Sequence, residues 1–295
     1  MKAAVCNELI ADRTFAEACR LIARQGFQGV ELAPYTLADD PTRISPSRIG
    51  ELRRIIEDAG LRCVGLHWLL KAPAGLHLTT PDLAIRRRSW DSLRALVDLC
   101  AGLGGEVMVL GSGKQRNAQG IGPEAARASL IEGLVELTPA AAAASVRILL
   151  EALPEAATDV VNTLQESQEV IRAVGHPGVS GMFDFHNCRD ETEPWDCLIA
   201  RHRGMIRHVH LNETDGYHPS GVVRPNRRRS EYAPAFRALS AGQYAGWVSL
   251  EIFHAEDPPE TILEETRACL DTMMSALGAC SAPPEGGLQH KEVSG

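Results

Sequence analysis

Four apolar segments of the chain end in residues that can bind a metal ion or carry a proton. Each segment has the composition of a buried β-strand, and the terminal residues, in chain order, are Glu151, Asp184, His210 and Glu251. Successive members are separated by the length of one strand–helix unit, so a parallel sheet would bring them to the same edge. Their residue types suit divalent-metal binding, proton transfer or both.

This set of four is rich in carboxylate oxygen and contains one imidazole. Such a mixture suits Mn²⁺, Mg²⁺ or Co²⁺ better than an ion that prefers thiolate ligands. The alternative is a set of stray polar residues or a buried ion pair, which would adequately explain one such residue. It does not explain four, because each unmatched buried carboxylate costs several kcal/mol. We therefore predict one divalent ion, with Mn²⁺ first and Mg²⁺ or Co²⁺ as alternatives.

Further polar or aromatic residues lie at the predicted ends of these and other strands. His208 shares a strand face with His210 because side chains alternate, and we predict that it supports the site or lies in the core. Four residues are predicted to contact a substrate at the mouth of the site: Glu31, His67, Trp68 and His186. Their alternative role is ordinary structural hydrogen bonding and packing.

The elements that must position these residues alternate between short apolar β-type runs and longer helical patterns, as in a parallel sheet with crossover helices. Eight strands are predicted, the number that closes a (β/α)8 barrel. An open doubly wound sheet is the alternative. Two observations argue against the open sheet. No Gly-x-Gly-x-x-Gly follows the first strand, and the polar residues lie at the ends of strands throughout the predicted order and not at a single switch point. We predict an α/β protein with a single TIM barrel over residues 1–280 and a flexible tail over 281–295.

Local signals mark where some helices begin. Ser45 is a good N-cap, and Pro46 after it suits the first helical position. After the fifth strand, Thr158 or Asp159 is predicted to start the next helix by the same capping preference.

Composition limits the classes of function. The chain has 295 residues, 44% of them hydrophobic, and a net charge of −8. This acidic balance argues against nucleic acid as a partner, and no apolar run approaches the ~20 residues of a membrane span. The start of the chain lacks a signal-peptide core, so we predict a cytoplasmic protein with a small-molecule substrate and leave homo-oligomer formation open. The eight cysteines include no Cys-x-x-Cys pair, which disfavours thiolate metal binding and a disulfide framework.

Four strings at the strand ends carry a family resemblance: Leu149-Leu-Glu151, Met182-Phe-Asp-Phe-His186, His208-Val-His-Leu-Asn-Glu213 and Val248-Ser-Leu-Glu251. They resemble the xylose isomerase-like TIM-barrel superfamily over roughly residues 1–277. Within it, the chain is most similar to the sugar isomerase and epimerase branch that includes the D-tagatose and D-psicose 3-epimerases. The resemblance implies that Glu151, Asp184, His210 and Glu251 are the metal ligands. It also implies that Glu151 and Glu251 form the acid/base pair.

Proton chemistry next to a carbonyl fits this implication. Epimerisation there removes a proton on one face and delivers one on the other, which two opposed carboxylates can do. A divalent metal that holds the carbonyl and hydroxyl oxygens stabilises the enediolate. We therefore predict a metal-dependent sugar isomerase or epimerase.

Three other functions remain as alternatives. A metal-dependent lyase that deglycosylates C- or O-linked 3-keto glycosides would use the same site. Phosphodiester cleavage, as in relatives of endonuclease IV, would need three metals and more ligands than this chain offers. A non-catalytic sugar-binding barrel would not need two opposed glutamates.

The chain departs from the ketose epimerase pattern in three places. His186 follows Asp184 by two residues instead of three, Gly216 stands where that pattern has arginine, and Ala157 stands near an expected glutamate. The basic loop of residues 224–229 matches no family motif. Its functional interpretation is an arginine clamp for an acidic or phosphorylated substrate, and its alternative is a solvated loop.

Overall fold

Eight parallel strands form a closed barrel in which each strand pairs with the next and the last pairs with the first. The computed structural model describes residues 1–221 and 230–280. The strands are β1 (Lys2–Cys6), β2 (Gly29–Leu32), β3 (Arg62–Leu66), β4 (Val107–Leu110), β5 (Arg147–Leu150), β6 (Val179–Asp184), β7 (Ile206–Leu211) and β8 (Trp247–Leu250). The predicted single TIM barrel is confirmed.

Helices cover the outside of the barrel between successive strands. They are α1 (Phe15–Arg24), α2 (Pro46–Asp58), α3 (Leu83–Leu103), α4 (Pro123–Ala143), α5 (Leu164–Val174), α6 (Trp195–His202), α7 (Tyr232–Ala241) and α8 (Pro259–Cys280). The predicted start of α2 is confirmed, since the Ser45 side chain accepts a hydrogen bond from the Arg48 amide. Within the described ranges, no helix has both the length and the apolar character that a membrane span requires.

The helix after β5 begins later than the sequence predicts. Thr163 caps α5 and forms a capping box with Glu166. The Asp159 carboxylate instead accepts a hydrogen bond from the Ala118 amide at 2.6 Å, which ties the loop after β5 to the loop after β4. The predicted start at Thr158 or Asp159 is therefore wrong, and the added residues lengthen the loop that follows Glu151.

The barrel interior has an apolar part below the predicted site. It is filled by a cluster of buried side chains, Ala4, Val64, Val107, Val109, Leu149, Met182 and Trp247. A methyl group at Gly29 would come 2.8 Å from the Trp247 ring, so glycine makes room for the indole. The Lys2 ammonium lies 4.1 Å from the Trp247 ring centroid at the amino end of the barrel. This apolar layer leaves the carboxyl end as the polar side of the interior.

Two predicted features lie outside the described residues. They are the tail over residues 281–295 and the basic loop over residues 224–229. The domain boundary at residue 280 and the arginine clamp therefore stay predictions.

Candidate active site

The four predicted metal ligands converge at the carboxyl end of the barrel. Glu151, Asp184, His210 and Glu251 are all buried, and one potential ligand atom from each lies within 4.8 Å of the others. Nδ1 of His210 lies 2.9 Å from Oε2 of Glu251, 3.5 Å from Oδ2 of Asp184 and 3.9 Å from Oε1 of Glu151. We call this set the four-residue cluster. The structure brings its members together, and their role in metal binding stays a prediction.

Strand pairing sets the positions of the cluster. Asp184 and His210 are direct register partners on β6 and β7. Glu151 and Glu251 each follow the last residue of a strand, and their amides donate to carbonyl groups of β4 and β7, each at 3.2 Å. Parallel pairing thus continues one residue beyond each strand and fixes the backbone from which both glutamates project.

Two residues that the sequence analysis did not select complete the surroundings of Glu151. The Asn187 side-chain amide donates to Oε1 of Glu151 at 2.9 Å, and its main-chain amide donates to Oδ1 of Asp184 at 2.7 Å. A methyl group at Gly111 would come 2.2 Å from Oε2 of Glu151, so glycine leaves room for that carboxylate. The signal for Asn187 is its place three residues after Asp184, where the epimerase pattern has histidine.

A buried arginine ties together the main chain behind Glu151. Arg116 has no exposed surface, and its guanidinium donates to the carbonyl groups of Leu110, Glu151 and Val161 at 3.1, 2.7 and 3.3 Å. Burial lowers the pKa of Arg116 to about 10, although the negative charge of Glu151 acts to raise it. No sequence pattern distinguishes Arg116 from an ordinary surface arginine.

Glu31 lies beneath the four-residue cluster and not at the rim of the cavity. Its carboxylate has no exposed surface and accepts hydrogen bonds from Nε2 of His208 at 2.7 Å and Nε2 of His210 at 3.1 Å. Such bonds fix the tautomer and orientation of a metal-binding imidazole. Glu31 is not among the residues that line the cavity, so we predict that it supports His210, and its contact with a substrate stays an untested prediction.

Replacement of Glu31 by glutamine should weaken metal binding without removing a ligand. The amide keeps the shape of the carboxylate but removes the charge that orients His210, and loss of such a partner typically lowers metal affinity about 10–100-fold. Titration calorimetry with Mn²⁺ would measure the change. Glu265→Gln is the matched control, since Glu265 accepts from Nε2 of His218 at 2.9 Å and neither residue belongs to the cluster or lines its cavity. Equal affinity of Glu31→Gln and wild type would contradict the supporting role.

The other three predicted substrate contacts line a cavity of about 510 Å³ above the cluster. Nε1 of Trp68 donates to Oε1 of Glu251 at 3.0 Å, and Trp68 has a left-handed backbone with φ of 51°, which is strained for a bulky residue. His67 is nearly enclosed, so only part of its ring reaches the cavity. His186 packs against Phe253, with ring centroids 4.7 Å apart.

Burial and mutual repulsion shift the protonation of the cluster. Burial, reinforced by the charges of Asp184 and Glu251, raises the pKa of Glu151 to about 8. Burial also raises the pKa of Glu251, although the positive charge of His210 acts to lower it. Burial alone would lower the pKa of His210, but Glu251 and Glu31 hold it well above its usual value. The cluster therefore holds protons that a bound cation would displace.

The metal-free protein should lose stability as pH rises toward 8. Folding raises the pKa of Glu151 from 4.5 to about 8, so the folded chain keeps a proton that the unfolded chain releases in that window. The free energy of unfolding should fall with pH there, by at most about 1.4 kcal/mol per pH unit for one proton. The pKa of His210 is also raised, so His210 adds a slope of the same sign at pH values above the usual pKa of histidine.

Urea unfolding of the metal-free protein at several pH values would measure this slope. Glu151→Gln should reduce it, because glutamine does not titrate. Glu155→Gln, on the exposed loop after the same strand, is the control. A slope that is the same in Glu151→Gln and wild type would contradict the raised pKa of Glu151.

A family model described as the xylose isomerase-like TIM barrel matches residues 19–273 of this chain. The chain belongs to this family. No curated protein matches the sequence at a significant level.

Solved structures of sugar epimerases share the fold at low sequence identity. L-ribulose 3-epimerase has 20% identity and a TM-score of 0.80, with 97% of this chain and 100% of that chain covered. D-psicose 3-epimerase from Clostridium cellulolyticum H10 has 20% identity and a TM-score of 0.78, with 94% and 99% covered. The 3-keto-D-glucoside 4-epimerase from E. coli has 20% identity and a TM-score of 0.77, with 93% and 99% covered. These likenesses establish the fold, and the chemistry must be argued from this chain's own residues.

This member of the xylose isomerase-like family lacks two side chains of the ketose epimerase pattern. Ala157, near the expected glutamate, lines the cavity. Gly216, at the expected arginine, has a left-handed φ of 85°, and a methyl group there would lie 3.3 Å from the Phe253 side chain. Neither position supplies a charged group.

The donor set of the cluster fits a divalent cation. Nδ1 of His210 is buried and faces three carboxylates, the nearest being Oε2 of Glu251 at 2.9 Å, without a well-aligned hydrogen bond to any described residue. Its Nε2 is occupied by Glu31, which leaves Nδ1 as the atom for a metal ion, as in carboxylate–histidine–metal arrangements. A cation at this position would also offset the buried negative charge.

Proposed function

We propose that this protein is a divalent-metal-dependent sugar isomerase or epimerase that transfers a proton next to a carbonyl through an enediolate. The observation that carries the proposal is the pair Glu151 and Glu251. These two carboxyl groups are buried on different strands, both have raised pKa values, and both lie beside His210 at the floor of the cavity. The sugar epimerases among the structural neighbours support the same class of substrate.

Each glutamate has one step in this reaction. One carboxylate removes the proton from the carbon next to the carbonyl, and the electron pair of the broken C–H bond enters the enediolate. The other carboxyl group then delivers its proton to the opposite face and forms the new C–H bond. The first group ends protonated and the second ionised, and exchange with solvent restores both. A pKa near neutrality suits this exchange in both directions.

Neighbouring residues bind one carboxylate oxygen of each glutamate and leave the other oxygen available to a metal ion or a substrate proton. Trp68 donates to Oε1 of Glu251, and Asn187 donates to Oε1 of Glu151. Together with Asp184 and His210, the glutamates would hold the ion, with Mn²⁺ first and Mg²⁺ or Co²⁺ as alternatives. When bound, such an ion supplies Lewis-acid stabilisation of the negative charge on the enediolate.

A metal-dependent lyase acting on C- or O-linked 3-keto glycosides is the second candidate. It begins with the same proton removal and differs in having a leaving group beta to the carbanion. The cavity favours it in one respect, since Trp68 and Phe253 line the cavity and are 38% and 37% exposed. Such aromatic surface suits contact with an aglycone.

A panel of free ketoses and 3-keto glycosides, tested with metal-replete protein in deuterated water, distinguishes the two. We expect NMR to show a ketose whose carbon next to the carbonyl has been inverted and carries deuterium. Release of an aglycone instead would establish the lyase. The double variant Glu151→Gln/Glu251→Gln serves as the blank. If metal-replete protein turns over neither class, the proposed function is wrong.

A further inference from the structure

The negative side chains that line the cavity lie at its floor, and its other charged side chains are positive. Among the described lining residues, the only carboxylates are Glu151 and Glu251, which belong to the cluster at the floor. The remaining charged residues are cations, Lys71, Lys114 and Arg189. The whole chain carries a net charge of −8, so this local excess of positive charge runs against its overall balance. A ligand that reaches the cluster also meets cationic side chains.

Lys71 is held in place by aromatic rings and not by an acid. Its ammonium lies 3.8 Å from the ring centroid of Tyr35 and 5.1 Å from that of Trp68. Cation–π contacts of this kind orient an ammonium without neutralising it. Over residues 1–221 and 230–280, no carboxylate forms a salt bridge with Lys71. Its charge therefore remains available to a ligand.

Lys114 stands on the adjacent loop, in the short turn Gly113–Gln115 after β4. The Asn117 side chain donates to the Lys114 carbonyl at 3.1 Å. A methyl group at Gly113 would lie 2.6 Å from the Ala157 carbonyl oxygen, so the turn packs directly on the loop after β5. No salt bridge within the described part of the chain involves the Lys114 ammonium. Because β3 and β4 are neighbours, the two lysines come from adjacent loops of the barrel mouth.

Arg189 is less available than the lysines. Its guanidinium donates to the carbonyl of His186 at 2.9 Å and lies 3.9 Å from the Asp190 carboxylate. These contacts already use part of its donor capacity, so Lys71 and Lys114 are the principal free cations among the described residues of the lining.

We infer that the substrate is an anionic sugar derivative, a sugar acid or a sugar phosphate, whose anionic group binds to Lys71 and Lys114. The inference rests on the proposed function, which places the carbon next to the sugar carbonyl between Glu151 and Glu251. Carboxylate and phosphate oxygens accept charge-assisted hydrogen bonds, which are roughly twice as strong as neutral ones. Both lysines are exposed, and a neutral sugar offers neither ammonium group an opposite charge.

Binding of three non-reactive polyols to the metal-replete protein tests this inference. The probes are D-glucitol, D-gluconate and D-glucitol 6-phosphate, which share a carbon chain and differ in the terminal group. None has a carbonyl, so their binding does not depend on turnover. Titration calorimetry at low and high NaCl should show at least one anionic probe binding about tenfold tighter than D-glucitol, with the difference reduced by salt. Whether gluconate or the phosphate is preferred identifies the anionic group.

The double variant Lys71→Met/Lys114→Met should remove the preference for the anionic probe, so that the anionic probes bind no tighter than D-glucitol. Lys2→Met is the matched control, because Lys2 lies at the other end of the barrel on Trp247. Equal affinity for all three probes, no binding of any probe, or a preference that survives in the double variant would each overturn the inference. Selective anion binding by a protein that turns over no sugar would instead refute the proposed function and leave the lysine site standing.

Discussion

Replacement of Asp184 or His210 by alanine should yield a folded protein that no longer retains a divalent ion. Wild-type protein should carry about one Mn²⁺-like ion per chain. Asp184 and His210 are adjacent partners across β6 and β7, and each directs its side chain into the four-residue cluster. Loss of either side chain leaves only three of the four donors around the ion, so the retained metal should fall close to zero.

Elemental analysis after gel filtration measures this directly. Asp190→Ala and His254→Ala are matched controls, because they remove the same residue types from exposed positions after β6 and β8. Circular dichroism would establish that each variant is folded, and Asp184→Asn, which keeps the side-chain shape, separates loss of charge from loss of packing. Equal metal content in wild type, Asp184→Ala and His210→Ala would eliminate the site.

The convergence of the cluster could be predicted from local sequence because parallel strands present their carboxyl ends at one edge. Each member ends an apolar run, and the period-two alternation of a strand then decides which way the side chain points. Asp184 and His210 illustrate this, since each lies at the carboxyl end of its apolar run. That they are direct partners also depends on a register shift between Gly181 and Phe183, which the sequence does not predict. The number of strands and the helices between them follow from the same alternation of patterns.

The surroundings of the cluster could not be predicted in that way, because they depend on contacts across the closed barrel. Glu31 is on β2 and binds His208 and His210 on β7, strands that are not neighbours in the sheet. Arg116 reaches the main chain at the end of β4, just after β5 and in the loop that follows, from a turn that has no periodic pattern. Asp159 looked like a helix cap but satisfies the Ala118 amide in a loop–loop contact.

Replacement of Glu151 or Glu251 by glutamine should lower kcat even when the metal site is saturated. Glu151→Gln and Glu251→Gln each keep the side-chain shape but remove a proton acceptor, and general acid–base catalysis is typically worth about 10²–10⁴ in rate. Each variant should therefore lose at least about that factor in kcat, measured at a metal concentration that saturates the site. Glu155→Gln, exposed on the loop after β5, is the control and should keep wild-type turnover.

Isotope exchange separates a loss of proton transfer from a loss of metal. Glu151 and Glu251 end strands that are three apart in the barrel order, so we expect them to act on opposite faces of the bound sugar. In deuterated water, the variant that keeps the first base should introduce deuterium into the substrate without inverting it, because only delivery to the other face has been removed. The variant that lacks the first base should neither take up deuterium nor invert the substrate in that direction of reaction. When the reverse reaction is started from product, each variant should show the behaviour that the other shows in the forward direction. Near-normal turnover in both variants with metal bound would rule out the two-glutamate mechanism, whereas exchange without inversion in one of them would support separate faces for the two carboxyl groups.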